Sequence, residues 1–214
     1  MMNIFRKTIK RILNKYRYYL FTRRNYYLTC SYSNIVNNKV INYGHGNQII
    51  VDNGSELNNC EIYFGGNNCI LHIGSHIYLS ENNFWFEDEG SEIIIGDSTS
   101  TESGCQFAAC EGKKIIIGKD CMFSHDIDVR NTDSHSILNE KGERTNPAED
   151  IIIGNHVWVG IRSTLLKGSI IPPDCVVAAQ SMITSSLKAF DHSLIAGSPA
   201  NVLKTNISWD RKRI

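Results

Sequence analysis

From Ile153 onward the chain keeps a six-residue beat. Ile153, Val159, Leu165, Ile171, Val177 and Ile183 fall at equal intervals, with small or polar residues between them. Six residues match neither the 3.6-residue period of a helix nor the alternation of a hairpin meander. They are enough for one short flat strand and its turn. Three such units make a triangular coil with the aliphatic residue of each unit pointing inward. Stacked coils bury those aliphatics in one column and pair each strand in parallel with its copy in the next coil.

A looser version of the repeat runs upstream. An aliphatic residue followed by glycine recurs as Ile73-Gly74, Ile95-Gly96, Ile117-Gly118 and Ile153-Gly154. The first three are 22 residues apart, an 18-residue coil with about four residues added. The added residues fall in the polar segments EDEGSE (87–92) and CEGKK (110–114), which should bulge from one corner, and the glycine should relieve the backbone there. On this pattern the solenoid spans 46–190. Residues 1–45 form an N-terminal arm, and 191–214 form a cap and tail, in which AGSPANVLK (196–204) reads as a turn followed by an extended or short helical cap. The stretch 130–150 breaks the period with polar residues, Gly142 and Pro147. A long loop inside a regular solenoid points to function.

The arm is basic. Nine Lys and Arg residues precede the first acidic residue, Asp52, although the whole chain balances 22 basic against 22 acidic residues. Phe5, Ile9, Ile12, Leu13, Tyr16 and Leu20 recur at helical spacing, so residues 4–21 read as an amphipathic helix. Such a helix suits an anionic membrane surface or a protein surface equally well. No apolar run is long enough to span a bilayer, and no cleavable leader is recognised, so the protein is expected in the cytoplasm, with the arm suited to the inner face of the cytoplasmic membrane. Seven cysteines show no CxxC or zinc-ligand spacing and read as buried thiols. No metal and no nucleic-acid partner are expected.

The segments TDSHS (132–136), IIIGNHVWVGIRSTLLKGSIIPPDCVVAAQSMIT (151–184) and AGSPANVLK (196–204) resemble the hexapeptide-repeat acyltransferases, in particular the branch of maltose, galactoside and polysaccharide O-acetyltransferases. The resemblance covers roughly residues 70–204. It implies an all-β, left-handed parallel β-helix with an N-terminal amphipathic helix and a short C-terminal cap. It also implies a homotrimer with active sites between subunits, acetyl-CoA as co-substrate and a sugar or glycan acceptor.

Acetyl transfer from a thioester to a hydroxyl needs a base, an oxyanion donor and a cradle for the coenzyme. His135 matches the family's base, a role suited to a side chain that titrates near neutrality. Asp133, two residues earlier, is the candidate to orient it, with Asp126 and Asp128 as alternatives, or it simply caps the loop turn. The backbone N–H of Ile161, after Trp158-Val159-Gly160, matches the oxyanion donor, although the family often has Ser there. Ala179 and Thr184 match positions along the coenzyme groove, Gly160 is one of the small residues that offer it, and Lys204 is a candidate for the phosphates. Trp158 alternates with the inward register and should point outward, to stack on the coenzyme arm or a sugar ring or to pack on a neighbouring subunit. Trp85 and Arg144 are candidates for binding the acceptor. The residues leave two other readings open: N-acetylation of an amino-sugar nucleotide, and a non-catalytic β-helix. His72 and His76 flank one corner as a zinc pair would, without a third histidine at matching depth.

Overall fold

The computed structural model describes residues 26–30 and 32–213. The expected helix at 4–21 lies outside them. The described chain is a left-handed parallel β-helix with three faces. The first face stacks seven strands, from Tyr26–Cys30 through Ile70–Ile73 and Lys114–Ile117 to Ile170–Ile171. The second runs from Asn34–Val36 through Met122–Phe123 and Trp158–Val159 to Leu194–Gly197, where Ala200–Lys204 folds back antiparallel. The third stacks seven, including Glu61–Phe64, Asn83–Phe86, Gln106–Ala109, Asp128–Arg130 and Thr164–Leu166.

The beat is the core. Ile153, Val159, Leu165, Ile171, Val177 and Ile183 are all buried. Along the longer strands burial alternates, as in Glu92–Ile95 and Lys114–Ile117, with every second side chain turned inward. Phe84 stacks on Phe107 with ring centroids 5.3 Å apart, and Phe123 meets Phe107 edge-on. Six of the seven cysteines are buried and Cys30 is partly so, in keeping with a filler role. Burial pushes the thiols of Cys105, Cys110 and Cys121 up to about 11.

Coil length is set at one corner. Ile152 to Trp158, from the first face to the second, spans the same six positions as Ile116 to Met122 in the longer coil below. From the third face to the first, Thr164 to Ile170 takes six residues, whereas Gln106 to the equivalent Ile116 takes ten. The additions at 87–92 and 110–114 sit at this corner, as does the loop 130–150.

Three expectations shift. The solenoid begins by Tyr26 rather than at 46. Its first coil lacks the aliphatic-glycine phrase and buries Tyr26, Leu28, Ser33 and Val40 instead. It also runs past 190, since Leu194 and Ile195 pair in parallel with Val176 and Val177. The glycine after each aliphatic residue is required by stacking rather than by corner dihedrals. A Cβ at Gly118 would lie 2.6 Å from the carbonyl of Gly154 in the next coil. The left-handed backbone at this corner falls two residues later, on Ser98, Asp120, His156 and Asp174.

Because Phe107 sits between two aromatic neighbours with no exposed surface, Phe107→Ala should cost about 3–5 kcal/mol. Denaturant unfolding followed by circular dichroism measures this loss.

Candidate active site

The loop 130–150 leaves the solenoid at the corner between the third and first faces, and it is braced. At its base the buried Asn131 side chain accepts from the N–H of Cys110 (2.9 Å). Glu111, in the added segment of the coil below, accepts from the Thr132 hydroxyl (2.8 Å) and from both terminal nitrogens of Arg144 (2.8 and 2.6 Å). Arg144 holds the Glu111 carboxyl down at about 2. Asn146, also buried, ties the two limbs together. Its amide donates to the Asp133 carboxylate and to the His135 carbonyl, both at 2.8 Å, and its oxygen accepts from the N–H of Ile137 (2.7 Å). Lys167, from the coil above, closes on the Asp133 carboxylate, which lies below its usual range chiefly because of that contact. Within this frame Leu138 and Arg144 pair as a short antiparallel bridge.

His135 stands on the outside of the brace, exposed. Its N–H donates to the Asp133 carbonyl (2.7 Å), but its imidazole makes no hydrogen bond among the described residues. The expected pairing with Asp133 is not formed, because that carboxylate is taken by Lys167 and Asn146. The alternatives are engaged as well: Asp126 pairs with Arg162 (3.7 Å) and Asp128 with Arg130 (2.6 Å). Arg144, expected at the acceptor, spends its guanidinium on Glu111 and the Asn146 carbonyl. Asn146, Lys167 and Glu111 had no motif to mark them. A cation at 167 facing the polar loop across one coil was the available hint.

A second group occupies a different corner, between the second and third faces. Trp158 leads into it, pointing outward and 39% exposed. Gly160 stacks so tightly under the coil above that a Cβ would lie 2.6 Å from the N of Ala179. Ile161 is exposed. Its carbonyl accepts from Gln180, and its N–H donates to no group among the described residues. Fixed, unpaired donors of this kind stabilise a developing oxyanion without reorganisation. Thr184 lies two coils above the loop, its hydroxyl 2.7 Å from that of Ser186. Lys204 ends the antiparallel strand of the second face, across from Leu194.

The tail adds a residue that sequence reasoning missed. Trp209 returns over the second face, stacks on His156 (4.1 Å, 11°) and donates to its carbonyl (2.8 Å). Trp158 lies 6.1 Å from it. Arg211 anchors this strap through Asp120 and the Cys121 carbonyl. His72 pairs with Asp52 (3.0 Å), and no group of three metal-binding side chains converges among the described residues.

No protein-family model matches the chain. A polysialic acid O-acetyltransferase of Neisseria meningitidis is 38% identical over 190 residues, covering 79% of this chain and 88% of that protein. The crystal structure of the polysialic acid O-acetyltransferase OatWY superposes with a TM-score of 0.83 at 34% identity, covering 89% of this chain and 90% of the other. The chain belongs to the hexapeptide-repeat O-acetyltransferases. A further solved structure, the polySia-specific acetyltransferase NeuO, matches with a TM-score of 0.73 at 26% identity, over 88% of this chain and 79% of its own.

The brace has an acid limit. The folded Glu111 carboxyl titrates at about 2 against an ordinary value of 4.5. Its stabilising contribution is therefore complete above about pH 4.5 and is lost as pH falls toward 2. Hydrogen-exchange protection factors in residues 130–150, corrected for the intrinsic pH dependence, should fall across that window, and Glu111→Gln should show low protection already at pH 7.

Proposed function

We propose that the protein transfers an acetyl group from acetyl-CoA to a sugar hydroxyl of a sialic-acid-containing bacterial surface polysaccharide. His135 acts as general base. One observation carries the reading: a loop held by four separate anchors presents an imidazole that makes no hydrogen bond among the described residues. Rigid support of an unpaired, titratable side chain is what a base requires and what a solvated loop residue does not. The likeness to polysialic acid O-acetyltransferases supports this acceptor class.

In the reaction, His135 takes the proton as the acceptor oxygen attacks the thioester carbonyl. The Ile161 N–H meets the oxyanion that forms. The intermediate collapses with loss of the coenzyme thiolate, which leaves as the thiol once protonated. Gly160 and Ala179 give the coenzyme arm close approach to the corner, Trp158 packs along it, and Thr184 and Lys204 lie toward its phosphate end.

His135 and Ile161 stand on different corners of the same prism. We therefore place each active site between two copies in a homotrimer, the loop of one copy facing the Gly160–Ile161 corner of the next. The partner's corner is also where the imidazole finds the orienting contact that Asp133 does not supply. The basic segment that precedes Tyr26, with eight of the nine Lys and Arg residues of the arm, holds the trimer at the inner face of the cytoplasmic membrane, where polysaccharide is assembled.

Thiol release from acetyl-CoA, measured with polysialic acid, a neutral oligosaccharide and an amino-sugar nucleotide, tests the reading. Turnover with polysialic acid is expected. Turnover only with the amino-sugar nucleotide would replace it with N-acetylation. His135→Ala should lower kcat about 10²–10⁴-fold while the protein stays folded. Coexpressed His135→Ala and Trp158→Ala chains should regain activity that neither has alone, because mixed trimers contain intact inter-subunit sites.

A further inference from the structure

The outward positions of the third face form a ladder set by strand register. Tyr63 pairs with Trp85, Trp85 with Ala108, and Ala108 with Arg130. Tyr43 meets Tyr63 edge-on, and Tyr63 stacks flat on Trp85 at 3.8 Å. The aromatic ladder then stops. Ala108 carries only a methyl group where the coils below carry rings, so nothing larger stands at this position of the ladder above Trp85 until the side chain of Arg130, two coils away. Neighbouring strands lie about 4.8 Å apart, so the gap from Trp85 to Arg130 is about 9.5 Å. One saturated ring fits between them at carbon contacts of about 3.5–4.0 Å on each side. This gap belongs to a cavity of about 510 Å³ whose lining includes Trp85, Ala108, Arg130, Asn83, Gln106 and Ser134.

We propose that the third face carries a slot for one pyranose ring of the acceptor glycan, between Trp85 and Arg130 and backed by Ala108. The inference rests on the reading of the protein as a glycan acetyltransferase and adds where the glycan lies. An aromatic face beside amides and a hydroxyl matches a sugar ring, which offers C–H bonds on one side and hydroxyls at its edge. The charges support a ring reader. Arg130 is neutralised by Asp128 (2.6 Å), and Glu61 by Lys39 (3.0 Å). Glu87 is left as the only unpaired charge of the lining among the described residues. The slot thus recognises ring shape and hydroxyls, and an acceptor carboxylate turns away from Glu87. Tyr63, stacked beneath, fixes the indole plane before the ligand arrives. Ser134 borders the cavity and precedes His135 in the chain, so a glycan seated here extends toward the proposed base.

The test separates binding from turnover. Saturation-transfer NMR with polysialic acid oligomers reads ring contacts without catalysis. Wild type and His135→Ala should both show transfer. Trp85→Ala should lose most of it, and so should Ala108→Phe, which fills the slot by extending the aromatic ladder. Both positions face outward, and a thermal midpoint within about 2 °C of wild type certifies folding. In steady-state kinetics, Ala108→Phe should raise the acceptor KM about tenfold with little change in kcat. Undiminished transfer in Ala108→Phe, or no transfer in wild type, overturns the slot. Binding that Ala108→Phe abolishes, in a wild type that never releases thiol with polysialic acid, overturns the proposed function and leaves the slot standing.

Discussion

Every feature of this protein depends on the parallel ladder that sets each residue over its counterpart in the coil below. The ladder fixes register so firmly that neighbouring corners touch backbone to backbone. Gly118 is a glycine because the carbonyl of Gly154 occupies the space a side chain would need. A chain bound by such stacking cannot add residues within a face without turning every later side chain inside out. Additions are confined to corners, and here they gather at one. The coil additions and the long loop are a single column of protrusions, with the proposed base on the longest.

That column explains how a loop of polar residues is held still. The anchors come from three levels: Glu111 from the coil below, Lys167 from the coil above, and Asn131 and Asn146 from the limbs of the loop itself. The solenoid is a rigid ruler, and contacts to several of its marks fix a loop in height as well as direction. Charged and amide partners suit this task, since hydrogen bonds to charged groups are the stronger ones and tolerate partial exposure.

The regular half of the fold was legible because burial there obeys one rule, an aliphatic residue every sixth position. The same rule located the corner insertions and the loop that breaks the period. The first coil was not legible: its inward positions are filled by Tyr26, Ser33 and Val40, which share no residue type. The brace was hidden for a different reason. Glu111 and Arg144 are 33 residues apart, and Asp133 and Lys167 are 34 apart, so only the stacking of unequal coils brings them together. Sequence proximity suggested that Asp133 serves His135. The structure gives that carboxylate to a lysine one coil away. The tail strap was hidden likewise, since nothing local in SWDRKRI (208–214) names His156 as the ring that Trp209 covers.

The hairpin at the C-terminal end bears on solubility. A parallel β-helix has two open ends with unpaired backbone groups, and its upper end is a template for the lower end of another molecule, a route to fibres. Here Ala200–Lys204 lies against Leu194–Gly197 in the opposite direction, with a register shift between Leu194 and Ile195. An incoming first coil, which needs a parallel partner, meets a strand running the wrong way, irregular in pairing and carrying Lys204. On this face the strand order thus closes by reversing its own direction, which withholds the parallel edge that a second copy would pair with.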